Sequence, residues 1–156
     1  MKILYICTHN RCRSILSEAI TNHLSNGRLQ AFSAGSLPAG QVHPLTLKYL
    51  EEKGIPTGGL ESESWNMYET ERPDIVVTVC DSAANEVCPV WFGDTLKIHW
   101  GLRDPSKLTG DEEEIRQAFF EVMDTIEQRI KKMLSLNLDR VDKEEQWALL
   151  QKLAKE

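Results

Sequence analysis

The sequence predicts an α/β protein, a three-layer sandwich in which helices cover both faces of a four-stranded parallel sheet. Two observations predict this fold: strands alternate with helical segments along the chain, and the first strand is continuously apolar. A strand of that kind is typical of a sheet buried on both faces, and right-handed crossovers place helices on each side. In such sheets ligands bind at the carboxyl ends of the strands.

The elements follow from apolar spacing and from breaker residues. Strands are predicted at residues 2–6, 29–34, 74–79 and 96–100. Apolar residues at helical spacing predict helices over 15–24, 44–54 and 115–133, a weak one over 65–71 and a tail helix over 141–153. Thr109 and Glu112 form a capping-box pattern, so the long third helix is expected to begin there.

Length and composition exclude several classes of protein. The chain has 156 residues, enough for one domain, and it is 41% hydrophobic and 27% charged, with a formal net charge of −6. This balance argues against a dedicated binder of nucleic acid or of an anionic membrane. No apolar run approaches the roughly 18–20 residues of a membrane span, and the short run at residues 3–6 is unlike a signal peptide. We therefore expect a cytoplasmic protein with reduced thiols.

Four cysteines are present, Cys7, Cys12, Cys80 and Cys88. In a reducing compartment they are buried apolar residues, metal ligands or working thiols. Four residues separate the first pair and seven separate the second, unlike the usual spacing in structural zinc sites. The spacing thus favours thiol chemistry or burial over a metal site.

The loop from Cys7 to Ser14 has the pattern Cys-x5-Arg-Ser between a strand and a helix. Backbone amides at a helix N-terminus bind a tetrahedral oxyanion and stabilise a thiolate, so the pKa of Cys7 is expected to be low. Arg13 can hold two oxygens of such an anion, and the Ser14 hydroxyl can donate to the Cys7 sulfur. The alternative is an unreactive cysteine beside a surface arginine; the flanking strand and helix favour the oxyanion site.

Residues 3–14 resemble the phosphate-binding loop of the low-molecular-weight protein tyrosine phosphatases and, more closely, of the arsenate reductases with that fold. Residues 99–105, His-Trp-Gly-Leu-Arg-Asp-Pro, resemble the acid loop of the same family. The resemblance implies flavodoxin-like topology, a phosphatase-like catalytic domain over 1–135 and a C-terminal helical extension over 136–156 packed on the same domain. We call residues 7–13 the oxyanion loop and residues 99–105 the acid loop.

The resemblance also implies the roles of individual residues. Cys7 is the nucleophile, Arg13 holds the oxyanion, and Asp104 is the general acid that protonates the leaving oxygen. The remaining oxyanion-binding positions are Thr8, His9, Asn10, Arg11, Cys12 and Ser14.

The thiols of Cys80 and Cys88 distinguish a reductase from a phosphatase, because a phosphatase needs only the Cys7 nucleophile. The resemblance implies that Cys80 attacks the Cys7–arseno adduct and that Cys88 then resolves the Cys7–Cys80 disulfide, after which thioredoxin reduces the protein. Ser106 and Lys107 stand where the phosphatases carry aromatic residues, which also favours arsenate. The thioredoxin-linked members of the family have six residues between the last two cysteines, whereas this chain has seven. Glutaredoxin with glutathione, which other branches use, is therefore the alternative donor.

No metal or organic cofactor is expected for this reaction, and no nucleic acid or membrane partner. Some relatives bind potassium near the oxyanion loop, and Asn10, Glu18 and Ser33 match that pattern. Two alternatives stay open: a phosphatase that hydrolyses phosphomonoesters through a Cys7 phosphoenzyme, and a redox-sensing or anion-binding module without turnover.

Overall fold

A computed structural model describes residues 1–80 and 95–154. In this part of the chain four strands, β1 (Lys2–Ile6), β2 (Gln30–Ala34), β3 (Ile75–Thr78) and β4 (Leu96–His99), form one parallel sheet in the order β2-β1-β3-β4. The predicted parallel sheet is confirmed, and each strand lies within two residues of its predicted bounds.

The register brings the carboxyl ends of the strands to the same level. Ile6 is paired with Ala34 on one side and with Thr78 on the other, and Thr78 is paired with His99. The strand order reverses between β1 and β3, which is the position where open α/β sheets bind ligands. The loops that follow all four strands therefore begin at one edge.

Four α-helices accompany the sheet among the described residues: α1 (Arg13–Ser25), α2 (Pro44–Glu52), α3 (Glu112–Ser135) and α4 (Lys143–Leu153). Helix α1 packs against both β2 and α3, and α2 also contacts α1 and α3. Helix α1 ends at Asn26, whose left-handed backbone, with a φ of 50°, breaks the helix. This arrangement confirms the predicted α/β class.

The core lies on both sides of the central strands. Ile3 and Leu4 of β1, which point to opposite faces, are both fully buried. Phe119 and Ile130 of α3 and Leu50 of α2 are likewise completely excluded from solvent. Burial on both faces explains why β1 is continuously apolar.

Two local predictions differ from the structure. Helix α3 begins at Glu112 with Asp111 as its N-cap, whose carboxylate accepts a hydrogen bond from the amide of Glu114, so the capping box at Thr109 is wrong. An acidic cap next to the first turn is favoured by the helix dipole, which outweighs the Thr109 pattern. The weak helix predicted at 65–71 is a 3₁₀ helix, Trp65–Glu71, and short 3₁₀ turns also occur at Pro105–Lys107 and Leu138–Arg140.

The C-terminal extension contains α4, which begins after Asp142. The Asp142 carboxylate accepts from the amide of Glu145, as the acidic start of the tail helix suggests. Leu150 and Leu153 are buried, and α4 contacts β4 and α3. No helix in the described ranges is long and apolar enough to cross a membrane.

Candidate active site

The oxyanion loop leaves β1 at Cys7 and enters α1 at Arg13. Its carbonyls at Thr8, His9 and Arg11 accept hydrogen bonds of 2.9 to 3.0 Å from the amides of residues 37, 39 and 43. The peptide bonds of the oxyanion loop are trans, so the amides in the same peptide planes, those of residues 9, 10 and 12, point to the opposite side. These amides thus lie on the side of the loop away from residues 37–43, and the amide of His9 bonds the Cys7 sulfur. Free amides of successive loop residues are the donors that bind an oxyanion.

The side chain of Asn10 supports the oxyanion loop through hydrogen bonds to three other segments of the chain. Its side chain is fully buried; Nδ2 donates to Ser14 Oγ at 2.8 Å and to Ser33 Oγ at 3.0 Å, and Oδ1 accepts from the amide of Glu63 at 2.7 Å. The backbone of Asn10 is left-handed, with a φ of 46°, which asparagine tolerates better than most residues. The side chain of Asn10 is thus occupied in supporting the loop, and its predicted part in oxyanion binding falls to its backbone amide.

Glu18 extends this network away from the loop. Ser33 Oγ donates to Glu18 Oε1 at 2.6 Å. Burial, together with the negative charge of Glu63, raises the pKa of Glu18 to about 7 against the opposing hydrogen bonds from Ser33. The three residues matched to a potassium pattern, Asn10, Glu18 and Ser33, are therefore neighbours in the fold. The described residues contain no group of three or more His, Cys, Asp or Glu side chains that could hold a metal ion.

Gly35 lies directly beneath the start of the oxyanion loop. A Cβ atom at this position would stand about 2.4 Å from the carbonyl oxygen of Thr8 and 2.5 Å from that of Cys7. Only glycine allows this close approach of two backbone segments. The sequence predicts Gly35 only as the residue that ends a strand. Its position directly after β2 is the sequence feature that could have indicated a close approach to the neighbouring strand end.

Cys7 and Cys80 meet at the carboxyl ends of β1 and β3. Both side chains are buried and present as thiols, Cys80 lies 3.8 Å from Thr8 Oγ1, and the two thiols are hydrogen-bonded to each other. This hydrogen bond and burial raise the pKa of Cys7, whereas Arg13 and the amide of His9 lower it. The net direction is opposite to the low pKa that the helix N-terminus predicts. Separation of the two thiols would remove the largest cause of the increase.

Arg13 and Asp104 face each other across the site. Arg13 Nη2 lies 3.5 Å from Asp104 Oδ2, and Arg13 Nη1 donates to the carbonyl of Leu102 at 3.2 Å. Asp104 Oδ1 accepts from the amide of Ser106 at 3.0 Å and from its hydroxyl at 2.5 Å. Pro105 is buried and follows Asp104 in a 3₁₀ turn. The carboxyl group thus lies next to the guanidinium, as the two motifs suggest.

The other predicted site residues divide into exposed and buried ones. His9 is exposed, and its Nδ1 is 3.0 Å from the carbonyl of Leu37, while Arg11 is exposed as well. Cys12 is buried, and burial raises its pKa to about 11. Ser14 is fully buried and accepts from Asn10, which leaves its own proton available to donate. Cys88 lies outside the described residues.

Comparison with known proteins gives one family. The family model described as low molecular weight phosphotyrosine protein phosphatase matches residues 2–147. An arsenate reductase of Halalkalibacterium halodurans is 35% identical over 129 residues, which cover 83% of this chain and 91% of that protein. A glutaredoxin arsenate reductase of Synechocystis is 30% identical over 104 residues, with 67% and 78% of the two chains covered.

A solved structure shows the same relationship. The thioredoxin-dependent arsenate reductase of Corynebacterium glutamicum superposes with a TM-score of 0.65 at 26% identity, covering 86% of this chain and 60% of that one. The range matched by the family model, residues 2–147, includes the sheet and the two loops described above.

Proposed function

Because this chain belongs to the low-molecular-weight phosphotyrosine protein phosphatase family, we propose that it reduces arsenate to arsenite. The observation that carries the proposal is that two buried thiols, Cys7 and Cys80, follow the aligned ends of β1 and β3, with Cys80 Sγ 3.8 Å from Thr8 Oγ1 of the oxyanion loop. A phosphatase needs one thiol and a water molecule, whereas reduction of As(V) to As(III) needs two electrons, which a pair of thiols supplies on forming a disulfide. Relatives with similar sequences are arsenate reductases.

In the first step the Cys7 thiolate attacks arsenate held by the loop amides and by Arg13. A sulfur–arsenic bond forms, and an oxygen leaves arsenic as water after Asp104 gives it a proton. Arg13 Nη2 lies 3.5 Å from Asp104 Oδ2, so the residue that holds the anion is next to the acid. The shared oxyanion chemistry of phosphate and arsenate makes phosphate a competitor for the same loop.

In the second step Cys80 attacks the sulfur of Cys7. The sulfur–sulfur bond forms, the electron pair of the sulfur–arsenic bond passes to arsenic, and arsenite leaves. Cys88 then attacks Cys80 and frees Cys7, so that a Cys80–Cys88 disulfide remains for an external dithiol. We propose thioredoxin as that donor, as in the Corynebacterium glutamicum relative, with glutaredoxin as the alternative that the Synechocystis relative suggests.

Potassium is proposed as an accessory ion rather than as a participant in the reaction. Ser33 Oγ and the Glu18 carboxylate are oxygen donors of the kind that hard cations prefer, and they lie within hydrogen-bonding distance of each other. Burial raises the pKa of Glu18, and a cation at this place would favour its charged form. A bound ion would hold Ser33, and through it Asn10, beneath the oxyanion loop.

Single-turnover thiol counting tests the proposed function. Reduced protein is mixed with arsenate without any reductant, and arsenite and free thiols are measured together. We expect two thiols to be lost for each arsenite formed, with a disulfide that maps to Cys80 and Cys88. Cys80→Ser should abolish arsenite formation and spare any hydrolysis of phosphomonoesters, which needs only the Cys7 thiol.

Two outcomes would contradict the proposal. If the thiols survive and no arsenite appears, while phosphomonoesters are hydrolysed, the chain is a phosphatase. If thiols are oxidised without arsenate, the site is a redox sensor. The donor is tested separately by steady-state turnover with thioredoxin and its reductase, against glutaredoxin with glutathione.

A further inference from the structure

Arg129 of α3 is a buried cation whose hydrogen bonds, within the described ranges, go to three backbone carbonyls, while its Nε has no partner there. Only 8% of the residue is exposed. Nη1 donates to the carbonyls of Trp100 at 3.3 Å and Gly101 at 3.4 Å, and Nη2 donates to the carbonyl of Ala154 at 3.4 Å. Burying a guanidinium is costly unless its donors find partners. These three carbonyls therefore determine where the side chain lies.

The three carbonyls belong to two separate parts of the chain. Trp100 and Gly101 are the residues of the acid loop that directly follow β4, and Ala154 directly follows α4. A second bond joins the same two parts, because the buried indole of Trp100 donates to the carbonyl of Leu150 at 2.8 Å. The end of α4 is thus attached to the first residues of the acid loop.

The attachment point lies close to the reactive end of the acid loop. Asp104 follows Gly101 by three residues. Between them, Leu102 donates its amide to the carbonyl of Val79 at 3.0 Å and accepts from Arg13 at its own carbonyl. A shift of Gly101 would therefore move the hydrogen-bond partner of Arg13 and the position of the Asp104 carboxyl together.

We propose that Arg129 is a positioning residue for Asp104, and that it acts by fastening the start of the acid loop to the C-terminal helix α4. The proposal rests on the proposed function, since it takes Asp104 as the proton donor to the leaving oxygen. Among the described residues Arg129 makes no hydrogen bond to the oxyanion loop, to Cys7 or to Cys80; its effect passes through the backbone of residues 100–104. Small displacements of a catalytic group are known to cost large factors in rate.

The first test is Arg129→Met, which removes the donors and keeps an apolar side chain of comparable length. We expect kcat for arsenite formation to fall about tenfold, with KM for arsenate changed less than about twofold. Trp147→Phe is the matched control: it removes another bond between α4 and β4, from the Trp147 indole to the carbonyl of Lys97 at 3.1 Å, away from the acid loop. This control should keep the wild-type kcat.

A double-mutant cycle separates positioning from a general structural role. If Arg129 acts through Asp104, then Arg129→Met should cost nothing further in a protein that already carries Asp104→Asn. A tenfold loss in both backgrounds would overturn the proposal. Arg129→Lys, which keeps a donor and the charge, provides a second variant if the methionine protein does not fold, and we expect about a threefold loss of kcat.

Hydrogen exchange gives a readout that does not depend on arsenate. The amides of residues 101–104 should exchange at least about tenfold faster in Arg129→Met than in Trp147→Phe, because opening of the loop becomes easier. Equal protection in the two variants would overturn the proposal. If the wild-type protein makes no arsenite, the proposed function fails, and the exchange result still decides whether Arg129 holds the loop.

Discussion

The oxyanion loop and the acid loop lie at the same edge of the sheet, but different forces hold them in place. The oxyanion loop is fixed along its length by the carbonyl bonds to residues 37–43 and by the buried side chain of Asn10. The acid loop has backbone bonds to β3 and its end at Trp100 and Leu102, whose amides donate to the carbonyls of Thr78 and Val79. Its other contacts come from side chains, namely Arg13 on Leu102 and Asp104, and Arg129 at its start.

The difference shows which of the two loops is already fixed before an anion binds. Backbone amides that are fixed before an anion arrives bind it without reorganisation, which is the basis of oxyanion stabilisation. The acid loop instead depends on Arg13, which we propose also binds the anion, so we expect the contacts of this loop to respond when the anion binds. We infer that damage to the oxyanion loop lowers both stability and binding, whereas damage to the acid loop lowers mainly the rate.

The largest effect is expected for Asn10→Gly. Glycine accepts the left-handed backbone of this position, so the change reports the loss of the side chain rather than strain. The amide of Glu63 and the hydroxyls of Ser14 and Ser33 lose buried partners, which should reduce the free energy of unfolding by about 3–4 kcal/mol. Urea denaturation measures this, and phosphate binding by calorimetry should weaken as well.

The matched control for this change is Asn26→Gly. Asn26 is exposed and has the same left-handed backbone, with a φ of 50°, at the end of α1. Its replacement should alter the free energy of unfolding by no more than about 0.5 kcal/mol. Equal losses at the two positions would show that the buried hydrogen bonds of Asn10 do not hold the loop.

A smaller and different effect is expected for Asp104→Asn. Loss of the proton donor should reduce the rate of arsenite formation about 100-fold. Phosphate should bind at least as tightly as to the wild-type protein, because Arg13 no longer has the carboxylate as a competing partner. The ion pair is partly screened by solvent, so the free energy of unfolding should change by less than about 1 kcal/mol.

Single-turnover rates and phosphate calorimetry together measure this prediction. A loss of phosphate affinity comparable to that in Asn10→Gly would erase the distinction between the two loops, since it would mean that Asp104 also shapes the anion site.

The smallest effect concerns Glu18 and pH. Its pKa is about 7 in the folded protein, against an ordinary value of 4.5. The folded state therefore holds this proton more tightly than the unfolded state, and the resulting stabilisation is complete below pH 4.5 and is lost as pH rises to about 7. Glu18→Gln removes this titration, so at pH 8 it should be more stable than wild type by about 2 kcal/mol.

The difference between wild type and Glu18→Gln should shrink towards zero as pH falls from 7 to 4.5. Urea denaturation of both proteins over this range, in sodium buffers free of potassium, measures it. Parallel stability curves would show that burial does not raise the pKa of Glu18 in solution. Adding potassium should stabilise the wild-type protein more than the glutamine variant if the accessory ion binds there.

The sequence located much of the site because its motifs are local. Cys7 and Arg13 are separated by one loop, and the strand before them and the helix after them are visible as apolar patterns. The parallel sheet then brings Cys80 and Asp104 to the same edge, as the strand order requires. The capping of α3 was wrong, because Asp111 lies closer to the first helical turn than Thr109 and carries a charge.

The sequence by itself determined the α/β class, the four strands, the oxyanion loop and the residues expected to react. These depend on patterns within about ten residues and on the general topology of parallel sheets. Only the tertiary structure decided what surrounds them. The support of Asn10 by Glu63, the close approach of Gly35, the raised pKa of Cys7 and the bonds of Arg129 join residues far apart in the chain. Such contacts arise when packing brings distant backbone together, and no local pattern records them.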